Sequence, residues 1–148
     1  MGDPTARAAV PSSAPTTLSL VIPAFNEEAR LPNLLETLRT SGPAAVEEAG
    51  MELLEVLIVD DGSTDRSREM LRAAADRDPL LKPVLDYERN RGKGAAFASG
   101  ARRARGDYVL LADVDLSPPL SELPKLSAAI ERGADIAIGS RAVPGAVV

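Results

Sequence analysis

The sequence predicts an α/β fold in which a mostly parallel sheet carries helices on both faces. Short apolar runs alternate with longer segments of helical periodicity along the whole chain. Each short run is continuously apolar, as in strands that are buried on both sides, rather than alternating in polarity. Polar clusters follow several of these runs directly, and ligands of such sheets bind at the carboxyl ends of the strands. We therefore expect a single ligand site along one edge of the sheet.

Composition narrows the possible functions. The 148 residues suffice for one domain, and because aromatic residues make up only 3%, its core must be aliphatic. The formal net charge of −5 argues against nucleic-acid binding, which uses a basic surface. The chain has no cysteine and no histidine, which excludes disulfides and thiolate or imidazole metal ligands. A general base would therefore be a carboxylate, a lysine or a tyrosine.

The ends of the chain and its hydropathy predict the compartment. No apolar run approaches the roughly 20 residues that span a bilayer, and the N-terminus lacks the pattern of a signal peptide. We expect a cytoplasmic protein, and peripheral contact with the cytoplasmic face of a membrane stays open. Residues 1–17 are rich in Pro, Ala, Ser and Thr and are expected to form a disordered tail ahead of a domain at residues 18–148.

The first predicted strand covers residues 18–22 and ends at Pro23. Asn26 is placed to cap the helix that follows. Four leucines of this helix recur at helical spacing: Leu31, Leu34, Leu35 and Leu38. The Ser-Gly-Pro run at residues 41–43 is expected to end the helix, and residues 42–50 fit either a loop or further helical turns.

Further apolar runs predict four more strands, at residues 55–59, 82–87, 108–112 and 135–138. Pro83 interrupts the second of these four, and the third is expected to be buried. Helices are expected between the strands. One would be capped by Ser63 or Thr64, and the last would start near Ser121.

Two carboxylates one residue apart, Asp113 and Asp115, follow the strand predicted at residues 108–112. Aspartate is disfavoured inside strands, so we expect both where the strand ends. Carboxylate oxygens suit a hard divalent cation, Mg²⁺ or Mn²⁺, that also contacts phosphate oxygens. The alternative is a solvated turn with helix-capping aspartates. The other polar clusters on the same edge favour the metal site.

Asp60 and Asp61 follow the strand predicted at residues 55–59 and, because they are consecutive, point in different directions. One of them could accept a hydrogen bond from a base or a ribose while the other supports the loop. The alternative is ordinary turn chemistry, since Asp-Gly-Ser is a common turn.

Six basic residues and no acidic one lie between Arg89 and Arg105, in a chain that is acidic overall. Such a segment suits a phosphate-rich ligand or an anionic membrane surface. Its Asn-Arg-Gly-Lys-Gly run at residues 90–94 offers backbone N–H groups and a lysine, without the spacing of a Walker A loop or of the dinucleotide fingerprint. The alternative is a helix-entry loop followed by a solvated helix face. Arg141 could reach back to a phosphate or lie on the surface.

Together these motifs resemble the family 2 glycosyltransferases, inverting nucleotide-sugar enzymes with the Rossmann-like GT-A fold. Four segments carry the resemblance in the order that the family shows: residues 21–28 (VIPAFNEE), 59–65 (VDDGSTD), 90–94 (NRGKG) and 112–117 (ADVDLS). The chain most resembles polyprenyl-phosphate sugar transferases, particularly the dolichyl-phosphate glucosyltransferases. The related mannosyltransferases share most of this pattern.

The resemblance implies a nucleotide-sugar site built by all four segments: Pro23, Ala24, Asn26, Glu27, Asp60, Asp61, Arg91, Lys93 and Asp113. In that arrangement an aspartate of the second segment holds the base and the ribose. Arg91 and Lys93 lie near the base and the diphosphate. Asp113 contacts the ribose or the sugar, and Asp115, with Asp113, binds Mg²⁺ or Mn²⁺.

The implied reaction moves glucose from UDP-glucose to a dolichyl or other polyprenyl phosphate with inversion. A GDP-mannose-dependent mannosyltransferase is the alternative, although Ser117 stands where some mannosyl members have a glutamine that helps hold the metal. An inactive nucleotide-sugar-binding fragment is another, and a sugar nucleotidyltransferase fits less well because residues 23–27 lack a glycine-rich loop. Family members continue past residue 141, so we expect a nucleotide-binding half truncated before the acceptor-binding half, and no catalytic base is assigned.

Overall fold

The computed structural model describes residues 14–139. Within them lie three strands and four helices, with a short 3₁₀ turn (Leu120–Glu122) before the last helix. In chain order they are β1 (Thr17–Ala24), α1 (Leu31–Glu48), β2 (Glu52–Asp60), α2 (Ser67–Ala75), α3 (Lys93–Arg103), β3 (Tyr108–Leu111) and α4 (Leu123–Glu131). Residues 1–13 of the predicted tail lie outside the described residues. None of the described helices has the length and apolar character needed to cross a membrane.

The sheet has the order β2-β1-β3, and both pairings are parallel. Ala24 at the end of β1 pairs with Asp60 at the end of β2, and Val21 pairs with Leu111 at the end of β3. Because all three strands run the same way, the segments that follow them begin at one edge of the sheet. The predicted α/β class with a parallel sheet is confirmed.

Two clusters of buried side chains cover the two faces of the sheet. On one face Leu20, Ile22 and Ile58 pack with Leu34 of α1. On the other, Val21, Leu57 and Val59 pack with Ala96 of α3. The buried hydrophobic side chains of residues 14–139 are all Leu, Ile, Val or Ala, which confirms the predicted aliphatic core. Helices on both faces fix the sheet, and with it the edge where the polar segments meet.

A buried polar network anchors the turn between α3 and β3. Glu55, which is 2% exposed, accepts hydrogen bonds from the Ser19 hydroxyl at 2.8 Å and from the Arg105 N–H at 2.7 Å. The Gly106 N–H donates in turn to the Ser19 hydroxyl at 2.9 Å. Burying a carboxylate costs much free energy unless it is paired and hydrogen-bonded. The network holds β3 against β1 and so determines where the chain enters the Asp113–Asp115 segment.

The helix boundaries differ from those predicted. α1 continues through Pro43 to Glu48, because Gly42 and Val46 are buried against the core and outweigh the hydrogen bond that proline removes. Neither predicted cap forms. α1 starts at Leu31 and α2 at Ser67, and the side chains of Asn26, Ser63 and Thr64 cap neither helix. The polar residues that precede both helices bind the neighbouring loop instead.

Three strand predictions are also corrected. Residues 82–87 do not form a strand. In this part of the chain only Leu81 and Val84 pair with β2, each through an isolated bridge, because Pro83 lacks the N–H that a ladder needs. Residues 135–138 are not a strand, and Ile136 and Ile138 are exposed. β3 forms as predicted but is mostly exposed rather than buried, because it is the outer strand of the sheet as described.

Candidate functional site

A cleft of about 400 Å³ opens at the carboxyl edge of the sheet. Most of the predicted site residues line it: Pro23, Ala24, Glu27, Asp61, Lys93, Asp113 and Asp115. Three predicted residues do not line it: Asn26, Asp60 and Arg91. As expected for parallel strands, the segments that follow β1, β2 and β3 all contribute residues to this one cleft.

A larger cavity of about 530 Å³ lies at the other end of the sheet, between β3 and α4. Its walls include Leu18, Tyr108 and Leu126, and none of the four sequence motifs contributes to it. Size alone does not identify a site, since convergent polar groups are what distinguish one. The smaller cleft has those groups and is the candidate site.

Asn26 joins the loop after β1 to the loop after β2. Its backbone lies in the left-handed region, with φ of 52°, which asparagine tolerates better than most residues. Its side-chain oxygen accepts hydrogen bonds from the Thr64 N–H at 2.8 Å and the Asp65 N–H at 3.3 Å, and its own N–H donates to the Ser63 hydroxyl at 3.0 Å. Asn26 therefore orients one wall of the cleft instead of lining it.

Asp65 strengthens the same junction. Its carboxylate accepts hydrogen bonds from the Ser67 N–H at 2.8 Å and the Glu28 N–H at 3.2 Å. Burial acts to raise the pKa of Asp65, but the hydrogen bonds from Ser67 and Glu28 together outweigh it and hold this pKa below its ordinary value. Charged Asp65 therefore stabilises the folded state.

The stabilisation by Asp65 should be lost in acid. A carboxyl group whose pKa is lower in the folded chain contributes stability above its unfolded pKa of about 4, and loses it as the pH falls through the folded value. We expect Asp65→Asn to be less stable than the wild type near neutral pH, with a difference that shrinks below pH of about 4. Urea unfolding at a series of pH values measures this difference, and a constant difference down to the acid limit would contradict the assignment.

The two consecutive aspartates after β2 have different surroundings. Asp60 is fully buried, and its Oδ2 accepts a hydrogen bond from Arg68 of α2 at 2.9 Å. Asp61 lies toward the cleft and accepts hydrogen bonds from the N–H groups of Arg91 at 2.9 Å and Gly92 at 3.0 Å. Asp61 therefore holds the basic loop (residues 89–92) against the sheet edge.

The basic loop delivers Lys93 into the cleft. Lys93 begins α3, and its ammonium group forms an ion pair with Asp113. Arg91 lies instead over the ring of Tyr87, with its guanidinium carbon 4.9 Å from the ring centre. The Ser99 hydroxyl, with smaller contributions from Arg103 and Arg91, holds the pKa of Tyr87 below its ordinary value. Of the two basic residues predicted to lie near the ligand, Lys93 faces the cleft and Arg91 packs beside it.

The Asp113–Ser117 segment forms a tight turn directly after β3. The Leu116 N–H donates to the Asp113 carbonyl at 2.9 Å, and the Ser117 N–H donates to the Asp115 carboxylate at 3.0 Å. Leu116 has a positive φ of 48° while its side chain is buried, so the core holds the turn in a conformation that leucine disfavours. Asp113 is partly exposed and Asp115 exposed, which leaves carboxylate oxygens open to the cleft.

Five lining residues were not among those predicted for the site: Phe25, Arg30, Asn90, Gly92 and Val114. Phe25 is 43% exposed on the cleft wall. The Arg30 guanidinium lies 3.5 Å from the Glu27 carboxylate within the turn that precedes α1. An aromatic side chain in the turn after β1, in a chain with so few aromatics, was the available signal for Phe25. The i,i+3 spacing from Glu27 was the signal for Arg30. Arg141 lies outside the described residues.

Known proteins resemble this chain over most of its length. The sequence matches the family described as Glycosyl transferase family 2 over residues 19–147. It is 45% identical over 123 residues to an undecaprenyl-phosphate 4-deoxy-4-formamido-L-arabinose transferase of Pseudomonas aeruginosa, covering 83% of this chain and 34% of the relative. It is 36% identical over 124 residues to a prophage bactoprenol glucosyl transferase homolog of Escherichia coli, covering 84% and 39%.

Solved structures show the same fold. A mannosyltransferase from Pyrobaculum calidifontis, in complex with GDP-Man and Mn²⁺, superposes with a TM-score of 0.58 at 26% identity, over 82% of this chain and 35% of that one. The TarS fragment 1–349 of S. aureus, in complex with UDP, superposes with a TM-score of 0.53 at 27% identity, over 68% and 28%.

The fold is that of the GT-A glycosyltransferases. The chain belongs to glycosyl transferase family 2. It spans about a third of the length of the relatives it matches first.

Proposed function

We propose that this chain forms the donor-binding part of a metal-dependent polyprenyl-phosphate sugar transferase. The observation that carries the proposal is the cleft in which Asp113, Asp115 and Lys93 meet at the carboxyl ends of parallel strands. Relatives that match over most of this chain are named as undecaprenyl-phosphate and bactoprenol transferases. An acidic pair and a lysine in one cleft suit a ligand that brings both a diphosphate and its counter-ion.

The nucleoside would lie against the wall formed by Pro23, Ala24 and Phe25. The exposed ring of Phe25 supplies an apolar surface for a base. Asp61 would accept a hydrogen bond from a ribose hydroxyl or the base, because each of its oxygens accepts one N–H from the basic loop and keeps further acceptor capacity. Asp60 would act from behind, since its carboxylate is buried against Arg68.

The acidic turn fits Mg²⁺ or Mn²⁺ that arrives with phosphate. Asp113 and Asp115 provide the carboxylate oxygens that such cations prefer. Among residues 14–139 no group of three or more acidic side chains is arranged to hold a metal. Two carboxylates together with phosphate oxygens and water is the usual shell of Mg²⁺ at a nucleotide. The donor set of this chain therefore suits a cation that is shared with the diphosphate.

The proposed reaction is an inverting transfer to a polyprenyl phosphate. The cation, when bound, would neutralise the diphosphate leaving group. Lys93 would add a second positive charge beside that group, and Glu27 and Arg30, which also line the cleft, would border the sugar. The acceptor phosphate is already anionic and would attack the anomeric carbon from the face opposite the leaving diphosphate, so little help from a base is required. Peripheral contact with a membrane would bring such an acceptor to the cleft.

The donor is proposed to be UDP-glucose. The glucosyl relatives and the presence of Ser117 rather than glutamine after the acidic pair support this choice. GDP-mannose is the second candidate, because the mannosyltransferase that shares this fold was solved with GDP-Man and Mn²⁺. An inactive nucleotide-sugar-binding fragment would show the same binding without transfer.

Calorimetric titration with UDP-glucose and GDP-mannose, with and without Mn²⁺, tests the proposal. We expect metal-dependent binding that Asp115→Ala weakens by roughly tenfold or more, since losing a charged contact costs about 1.5–3 kcal/mol. Asp76→Ala removes an exposed aspartate at the end of α2 and is the matched control. Equal binding with and without Mn²⁺, or an unchanged affinity in Asp115→Ala, would overturn the metal site. Tighter binding of GDP-mannose would overturn the choice of UDP-glucose.

A further inference from the structure

Lys93 occupies the cleft as the direct partner of a proposed metal ligand. Its ammonium group pairs with Oδ1 of Asp113, and the two side chains remain 59% and 45% exposed. The same carboxylate is one of the two that would bind the cation. The lysine and the metal therefore compete for Asp113.

The chain presents Lys93 to Asp113 by a defined route. Asp61 holds the backbone N–H groups of Arg91 and Gly92, so the basic loop starts α3 at a fixed place. The Lys93 nitrogen also lies 5.6 Å from the ring centre of Phe97, four residues further along α3. Its backbone is anchored while its long, exposed side chain is free to change partner.

The charges of the cleft explain why a partner is needed. Four acidic side chains line it: Glu27, Asp61, Asp113 and Asp115. Among the described lining residues the positive charges are Lys93 and Arg30, and Arg30 lies beside Glu27. Among residues 14–139 Lys93 forms the ion pair with Asp113, and Asp115 forms no ion pair. Lys93 thus neutralises part of the negative charge of the Asp113–Ser117 turn, as a bound metal cation would.

We propose that Lys93 is an internal placeholder for the metal and thereby couples metal binding to nucleotide binding. This inference rests on the proposed function of the cleft. A cation that binds alone must displace Lys93 from Asp113 and leave its ammonium group near the metal without a partner. A cation that arrives with a diphosphate leaves Lys93 a phosphate oxygen to pair with. Metal and nucleoside diphosphate therefore bind cooperatively, and the coupling is reciprocal.

Removing the ammonium group should move two affinities in opposite directions. Two unit charges about 4 Å apart in water interact with about 1 kcal/mol, which is a factor of about five in affinity. In Lys93→Met we expect Mn²⁺ alone to bind about fivefold more tightly. We expect UDP to bind about fivefold more weakly in the presence of Mn²⁺. The factor by which UDP enhances Mn²⁺ binding should fall about fivefold.

The experiment is a titration of Mn²⁺ followed by electron paramagnetic resonance, with and without saturating UDP, and with GDP in a parallel series. Lys125→Met is the matched control, because it removes a lysine from an exposed ion pair with Glu122 that lies away from the cleft. Lys93→Arg keeps the positive charge and should retain the coupling of the wild type. Circular dichroism confirms that each variant is folded.

The outcomes separate this inference from the proposed function. Opposite shifts in Lys93→Met, with wild-type behaviour in Lys93→Arg and Lys125→Met, would support the placeholder. If the wild type binds Mn²⁺ and a nucleotide but Lys93→Met leaves the affinity for Mn²⁺ alone unchanged, the placeholder is wrong and the proposed function stands. If the wild type binds neither Mn²⁺ nor a nucleotide, the proposed function fails and the placeholder fails with it.

Discussion

Replacing Arg68 by methionine is expected to lower the free energy of unfolding by about 3–5 kcal/mol, the usual cost of removing one partner from a buried ion pair. Arg68 donates to the Asp60 carboxylate at 2.9 Å and also to the Tyr87 carbonyl. Asp60 is fully buried, and its Oδ1 has no hydrogen-bond partner among the described residues. Without Arg68 the carboxylate must lose its charge or remain uncompensated. Urea unfolding followed by circular dichroism measures the loss.

A surface ion pair provides the control. Arg39 and Glu36 lie 2.8 Å apart and both side chains are more than 60% exposed, so Arg39→Met should cost far less. Asp60→Asn in the Arg68→Met background removes the stranded charge and should recover part of the lost stability. Equal losses in Arg39→Met and Arg68→Met, or no recovery in the double variant, would show that the buried pair is not what stabilises this junction.

The sequence correctly predicts helices that pack an apolar face against the core. It is wrong about some strands, because the formation of a strand depends on hydrogen bonds to a neighbouring strand. Leu31, Leu34 and Leu38 are all buried on α1, because helical periodicity reports directly which face is apolar. A strand needs a neighbour as well as an apolar run. Residues 135–138 have the apolar run but are not paired in a ladder, so Ile136 and Ile138 stay exposed. Hydropathy carries no information about that neighbour.

The same distinction applies to the cleft. Parallel strands place the segments after β1, β2 and β3 on one edge, and that is why most of the expected residues meet there. The direction of individual side chains does not follow from this rule. The sequence did not distinguish the roles of Asp60 and Asp61. The structure distinguishes them by their partners, because Asp60 pairs with Arg68 and Asp61 binds the basic loop. The ion pair between Lys93 and Asp113 joins two motifs. Whether these two side chains meet depends on how α3 packs on the sheet, which the sequence does not reveal.

Gly62→Ala is expected to weaken nucleotide binding by at least about tenfold and to destabilise the fold. Gly62 has a φ of +76°, which costs an L-residue about 1–2 kcal/mol. A Cβ at this position would overlap the carbonyl carbon of Arg89 and lie 2.5 Å from the Asn90 nitrogen. These are backbone atoms, so no side-chain rotation relieves the overlap, and overpacking of this kind costs about 1–3 kcal/mol more. The basic loop must therefore move away from the sheet edge.

Displacement of the basic loop would also move Lys93, the side chain that this loop positions in the cleft. Asp61 precedes Gly62 and binds the Arg91 and Gly92 N–H groups, so a shift at Asn90 breaks these hydrogen bonds and withdraws Lys93 from Asp113. Gly94→Ala is the control, because a Cβ there meets no atom within 4 Å. Calorimetric titration with UDP and Mn²⁺ and thermal unfolding compare the two variants. Wild-type affinity in Gly62→Ala would mean that the cleft does not need the basic loop against the sheet, and the proposed contact of Asp61 with the ribose or the base would then be wrong.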